Sequence, residues 1–233
     1  MLLKLISLEL RKYQFARYFG YAAIANIAIF FILVMLGFID YGAKDYAYAT
    51  YAQSIILIDS CVRATFIVFA GVLLSKMIIS EYKNQTMNVL FTYPIPRHKL
   101  IAAKLIIIFF FTCSMILLSD VILAILLVIA AYFYPFISDT LTMEQVPGLL
   151  LKYTVSALSA ASMAMIPLFF GMRKYSVTTT IVSSVLLMLI VCSGFNGPAV
   201  SINSIIVIPL VLGMVGLWIA WMSLLRLETS DVS

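Results

Sequence analysis

Three ionisable side chains stand among almost wholly apolar neighbours: Asp59 and Arg63 in one stretch, Asp120 in another. An ionised group at membrane depth costs about 2.5–3.5 kcal/mol on insertion scales, so it needs a partner, a wet cavity or a task. Asp59 and Arg63 are i and i+4, which places them on one helix face within reach of an ion pair. Counted at about 1.5 Å per residue from the lysines flanking each stretch, Arg63 and Asp120 reach similar depths in neighbouring helices of opposite direction. The expectation is that Arg63 is neutralised by Asp59, Asp120 or both. Such a cluster could clamp helices together, touch a substrate or relay an ion, and the residue types leave all three open.

Other chemistry is scarce. His98 is the one histidine, so neither a Ser–His–Asp nor a Cys–His arrangement can be assembled, and it reads as a basic surface residue. There is no G-x-x-x-x-G-K-[ST] loop and no polar run long enough to fold a nucleotide domain around one. Cys61, Cys113 and Cys192 all fall in apolar stretches. An odd number of thiols without metal spacing points to packing roles rather than disulfides or ligands. No catalytic residue, metal site or cofactor is expected within this chain.

The elements that must position these groups are membrane-spanning helices. Hydrophobic residues make up 64% of the 233 and charged residues 11%, against about 45–50% and 25% in soluble domains. Only a bilayer can serve as solvent for so much apolar side chain. Apolar runs cover residues 18–39, 54–79, 100–133, 149–171, 176–195 and 204–225. They are continuous rather than alternating, which excludes a transmembrane barrel. Each suffices for the about 20 residues of one crossing; the third exceeds that and must tilt or project into the cytoplasm. The fold class expected is an all-α polytopic membrane protein of six transmembrane helices. The fourth run carries Ser156, Ala157, Ser159, Ala160, Ala161, Ser162 and Ala164, a surface suited to close helix packing, first within the chain and second at a dimer seam.

Charge sets the orientation, because positive loops stay cytoplasmic. Lys4, Arg11, Lys12 and Arg17 precede the first run, and Lys76, Lys83, Arg97, Lys99 and Lys104 flank the connection after the second. Arg173 and Lys174 follow the fourth and Arg226 the sixth, whereas the opposite side holds only Lys44 and Lys152. Both termini are therefore expected in the cytoplasm. The basic balance is an orientation device, not a nucleic-acid footprint. Residues 1–17 show no signal-peptide core; Leu3, Ile6, Leu10 and Tyr13 share a helix face with Lys4, Glu9, Arg11 and Lys12 elsewhere. They are expected to form an amphipathic interfacial helix, followed by a transmembrane domain over 18–225 and a cytoplasmic tail over 226–233.

The connection after the second run is not a slack loop. Ser80 could cap a short helix, with Glu81 in its first turn, and Ile78, Tyr82, Gln85 and Val89 follow a helical period. Pro94 and Pro96 end that helix and stiffen the elbow, after which Arg97, His98 and Lys99 start the next helix.

Glu81, Thr86, Leu90, Pro94, Arg97, Leu100 and Lys104, at this spacing, resemble the first cytoplasmic loop of ABC-2-type permeases. The style is that of the small permeases of bacitracin-resistance and lantibiotic-immunity exporters. Gln85 and Pro96 depart from the family's commoner Gly and Ser or Thr. The resemblance implies a coupling helix within residues 80–99. Glu81, Tyr82, Asn84, Thr86, Leu90, Pro94 and Arg97 would engage a separate ABC ATPase subunit, which would hold the ATP and Mg. It further implies a second permease copy or a related permease, and export of an amphipathic substrate such as a peptide antibiotic or toxin across a bacterial plasma membrane. Two other classes stay open: an ion-coupled secondary transporter using Asp59 or Asp120, and a non-transporting immunity or scaffold protein.

Overall fold

Backbone polar groups find no water in hydrocarbon, so a chain there must satisfy them within helices. The computed structural model describes residues 5–6, 8–9, 16–43, 51–84, 97–133, 146–193 and 202–229, and among these no strand occurs. The helices are α1 (Ala16–Ala43), α2 (Tyr51–Leu74), α3 (Ser80–Lys83), α4 (Arg97–Phe133), α5 (Val146–Met163), α6 (Ile166–Lys174), α7 (Val177–Ser193) and α8 (Ile202–Thr229). A π-helical turn, Ser75–Ile79, joins α2 directly to α3.

Four helical stretches are long and apolar enough to cross a membrane: Arg17–Gly37, Ser54–Lys83, Lys99–Ala130 and Pro147–Lys174. Val177–Val191 and Leu210–Ser223 are shorter apolar helices within the described residues. These six stretches correspond in order to the six runs expected from the sequence. Ser54–Lys83 and Lys99–Ala130 have 30 and 32 residues. At about 1.5 Å per residue, both exceed the ~30 Å of hydrocarbon and must tilt or protrude.

The expected helix start at Ser80 does not occur. The chain is already helical when it arrives, Ser80 has ordinary helical angles, and its N–H bonds to the carbonyl of Ser75. With no orphan amides to satisfy, its hydroxyl has no capping task. The fourth run, by contrast, is divided at Ala164–Met165, and Pro167 lies in the first turn of α6. Tight bonds bridge the break, from Met165 N–H to Ser162 O at 3.2 Å and from Leu168 N–H to Met165 O at 3.1 Å. Pro167 supplies no N–H, so an unbroken ladder is impossible at that position.

Helix α2 is the central post, packing on α1, α4, α5 and α7. Its Ile58, Val62, Phe66, Ala70 and Leu73 form a buried stripe in the main core. The lipid-facing surface carries Phe19, Ile27 and Phe31 of α1, Phe110 and Ile125 of α4, and Trp218 and Trp221 of α8, all exposed. Helices α5 and α8 approach closely where Gly213 and Gly216 of α8 lie against Ser159 and Ser162 of α5, while the wholly buried Ala157, Ala160 and Ala164 of α5 join the main core. A Cβ on Gly216 of α8 would collide with the backbone carbonyl of Ser162, so glycine is what the distance permits. Packing within the chain therefore uses this small-residue face.

Candidate functional site

Asp59, Arg63, Asp120, Tyr153 and Ser156 come together from α2, α4 and α5, each less than a tenth exposed. The i,i+4 spacing on α2 delivers the expected pair: Arg63 Nη2 lies 2.6 Å from Asp59 Oδ2. Ser156 Oγ of α5 donates to Asp59 Oδ1 at 2.5 Å, so Asp59 is held from two helices. Asp120 does not complete the set. Neither of its oxygens accepts a hydrogen bond from any described residue, although it lies within electrostatic reach of Asp59 and Arg63. The hydroxyls of Ser119 and Tyr153 also lack hydrogen-bond partners among the described residues. Arg63 is thus neutralised by Asp59, and the Asp120 carboxyl stands over against the pair.

A second buried polar cluster lies near the end of α3. Lys104 of α4 is wholly buried; its Nζ donates to Glu81 Oε2 and to the Met77 carbonyl at 3.0 Å. Glu9 Oε1 lies 3.7 Å from the same nitrogen. By sequence Lys104 is one of the cations flanking the cytoplasmic connection and Glu9 lies off the apolar face of the N-terminal segment; in the structure both are buried. The reason is mutual: two carboxylates on separate segments need a cation between them once water is excluded. The Met77 carbonyl belongs to the π turn, so Lys104 also serves a backbone group whose ladder is irregular.

Among the proposed coupling residues, Glu81 is turned inward onto Lys104, and Tyr82 is half-buried with its ring 5.6 Å from that of Tyr175. Asn84 is exposed at the end of α3, its N–H bonded to Ser80 O at 3.0 Å. Arg97 begins α4. Thr86, Leu90 and Pro94 lie outside the described residues. Lys83, Arg173, Lys174 and Tyr175 are exposed. Tyr175 adopts a left-handed conformation, φ 45°, that terminates α6. The Tyr82–Tyr175 contact and the Lys76 ammonium 5.8 Å from the Tyr18 ring gather these ends at one pole of the bundle.

Sequence reasoning missed Tyr153 and Ser156 as members of the membrane cluster, and missed the Glu81–Lys104 pairing. A signal existed for the first group: Tyr153, Ser156, Ala157 and Ala160 follow i, i+3, i+4, i+7, and share a face that must meet another helix.

A bundle of apolar helices with a polar cluster buried between its spans and a braced helix end at one pole is a polytopic all-α membrane protein in form. The comparisons give the family. The family described as ABC-2 family transporter protein matches residues 5–193. The protein YcbO of Bacillus subtilis (strain 168) is 37% identical over 229 residues, covering 98% of this chain and 100% of that one. No solved structure matches. The chain belongs to the ABC-2 transporter family, as a membrane permease subunit of an ABC transporter. Permeases of this family generally work with an ABC ATPase subunit.

Proposed function

We propose that this chain is the permease of an ABC exporter and that the pole formed by α3, the start of α4 and the end of α6 is its seat for a separate ATPase. The observation that carries the reading is the braced helix end. Helix α2 runs through the π turn into α3 without a flexible break, and Lys104 ties that rod to α4. A stiff rod passes on a displacement that a slack loop would absorb. On this reading Tyr82, Lys83 and Asn84 offer the contact, Glu81 positions them, and residues 80–99 form the coupling segment. ATP and Mg belong to the partner. Two permease copies, or this chain with a related permease, enclose the path in a bacterial plasma membrane with both termini cytoplasmic. The cargo is an amphipathic molecule, a peptide antibiotic or toxin being the example the sequence resemblance supplies.

The test is co-purification of the tagged chain with a soluble ABC ATPase from its native membranes. Retention in the wild type and loss in a Tyr82→Ala, Asn84→Ala double variant that still inserts is the expected result. Capture that survives this change and Glu81→Gln with Arg97→Ala would place the seat elsewhere. One observation favours a second reading, an ion-coupled carrier: the Asp120 carboxyl has no bonded partner among the described residues. Nucleotide-independent transport in sealed vesicles would support that reading over the first.

A further inference from the structure

The N-terminal segment does not lie apart from the bundle. Ile6 packs against the main core, Leu8 is exposed, and Glu9 is only 6% exposed. The Glu9 carboxylate thereby reaches the ammonium that braces the end of α2 and α3. Its Oε1 lies 3.7 Å from Lys104 Nζ, too far for a hydrogen bond. Its Oε2 is buried and has no hydrogen-bond partner among the described residues. Lys104 meanwhile donates to Glu81 Oε2 and to the Met77 carbonyl at 3.0 Å. One buried cation faces two carboxylates, and of the two it is hydrogen-bonded to Glu81 alone.

While Glu81 is in place, the second carboxylate is a liability. It adds negative charge to a dry setting and gains no hydrogen bond there. Its value changes once Glu81 departs. Glu81 sits in the short α3, beside exposed Lys83 and Asn84, so a swing of the rod carries it toward water. Lys104 belongs to α4 and is wholly buried, so it stays behind. Without a counter-ion it would be a stranded buried charge, which is strongly destabilising. With Glu9 already beside it, the flexible lysine stem needs a shift of about 1 Å to reach the ~2.8 Å of a charge-assisted hydrogen bond. The ammonium therefore has two paired arrangements, and the position of the rod selects between them.

We infer that Glu9 is a positioning residue for the coupling rod, the counter-ion to which Lys104 passes when Glu81 swings away. The inference rests on the reading of α3 as a moving rod and adds the N-terminal segment to the working parts of that pole. Its sign is opposite to that of a brace. If Glu9 only held the cluster together, losing its charge would loosen the rod. As the alternative partner of Lys104, losing its charge fixes the rod in place.

The experiment uses the full chain in phosphatidylcholine and phosphatidylglycerol nanodiscs, treated with a water-soluble carbodiimide and glycine ethyl ester. These reagents convert a carboxylate that reaches water into an amide, and peptide mass spectrometry reads the rate at Glu81. In the wild type Glu81 should react slowly but measurably, as the rod leaves Lys104 from time to time. Glu9→Gln should slow that reaction about tenfold or more, the scale of one hydrogen bond to a charged group. Glu9→Asp, which keeps the charge, should restore most of the wild-type rate. Equal or faster reaction of Glu81 in Glu9→Gln overturns the inference, faster being the result for a brace. So does a Glu9→Gln protein that fails to insert, because Glu81 and the Met77 carbonyl should suffice to hold the resting rod. A wild type whose Glu81 never reacts overturns it as well. No ATPase is present in this measurement, so its failure leaves capture of an ATPase by Tyr82 and Asn84 standing, and loss of that capture leaves the Glu81 rates standing.

Discussion

The Lys104 ammonium donates to the Met77 carbonyl across 3.0 Å, joining residues 27 positions apart. That bond fastens the first turns of α4 to the π turn that ends α2, and the same nitrogen holds Glu81 and faces Glu9. Three segments of chain thus meet on one buried cation. Its removal leaves two carboxylates facing each other in a dry setting.

Lys104→Met should therefore destabilise the protein by about 3 kcal/mol, the scale of an uncompensated buried charge. Adding Glu81→Gln should restore part of that loss, because the charge left without a partner is then gone. Thermal unfolding in detergent reads both variants. Equal melting of the wild type and Lys104→Met would deny the cluster any structural weight.

In the membrane interior, Arg63→Leu strips Asp59 of its guanidinium while Ser156 Oγ still donates to it. A loss of about 3 kcal/mol is expected, with the double change Asp59→Leu, Arg63→Leu milder than either single one. Ser156→Ala alone should cost about 1.5–3 kcal/mol, as for one hydrogen bond to a charged acceptor. A double-mutant cycle on unfolding in detergent separates these terms.

Close approach of α5 and α8 makes Gly216→Ala a sharp test of helix packing. The added Cβ meets the Ser162 backbone, which cannot swing aside, whereas Gly20→Ala on α1 meets nothing within 4 Å. Overpacking of about 1–3 kcal/mol is expected for the first change. The second should be neutral or slightly stabilising in the same unfolding assay, since alanine favours helix.

Thiol labelling reports the coupling pole directly. In a background with the three native cysteines replaced by serine or alanine, Lys83→Cys and Asn84→Cys should react rapidly with a membrane-impermeant maleimide. Glu81→Cys should react slowly, because position 81 is 6% exposed. Applied to inverted and right-side-out vesicles separately, the reagent also determines which side of the membrane carries this pole. Rapid reaction at position 81 would mean that the segment is not braced inward.

How much of this was legible in the residues follows from how local each feature is. The six apolar runs stand out because a bilayer crossing demands about 20 uninterrupted apolar residues, a property of contiguous sequence. The Asp59–Arg63 pair was equally plain, since one turn of helix fixes it. The Glu81–Lys104 bond was not, because it depends on how α3 and α4 pack, and both residues fit a surface pattern equally well. The π turn gave no sign either: Ser75, Lys76, Met77, Ile78 and Ile79 suit an α-helix equally well. Ser80 misled because a capping residue is meaningful only where a helix begins. Asp120 could be placed at the depth of Arg63, yet which carboxyl takes the guanidinium is decided by the α2 backbone, which already presents Asp59.

The winding at Ser75–Ile79 has a geometric corollary for everything beyond it. A π turn absorbs one residue more than an α turn, and one residue of α-helix is about 100° of rotation and 1.5 Å of rise. Helix α3 is therefore phased about 100° away from the heading that an uninterrupted α2 would have given it. Deleting Lys76, the exposed member of the turn, would cancel the offset and swing Glu81 off Lys104. The direction in which the rod's tip faces is thus set by one surplus residue.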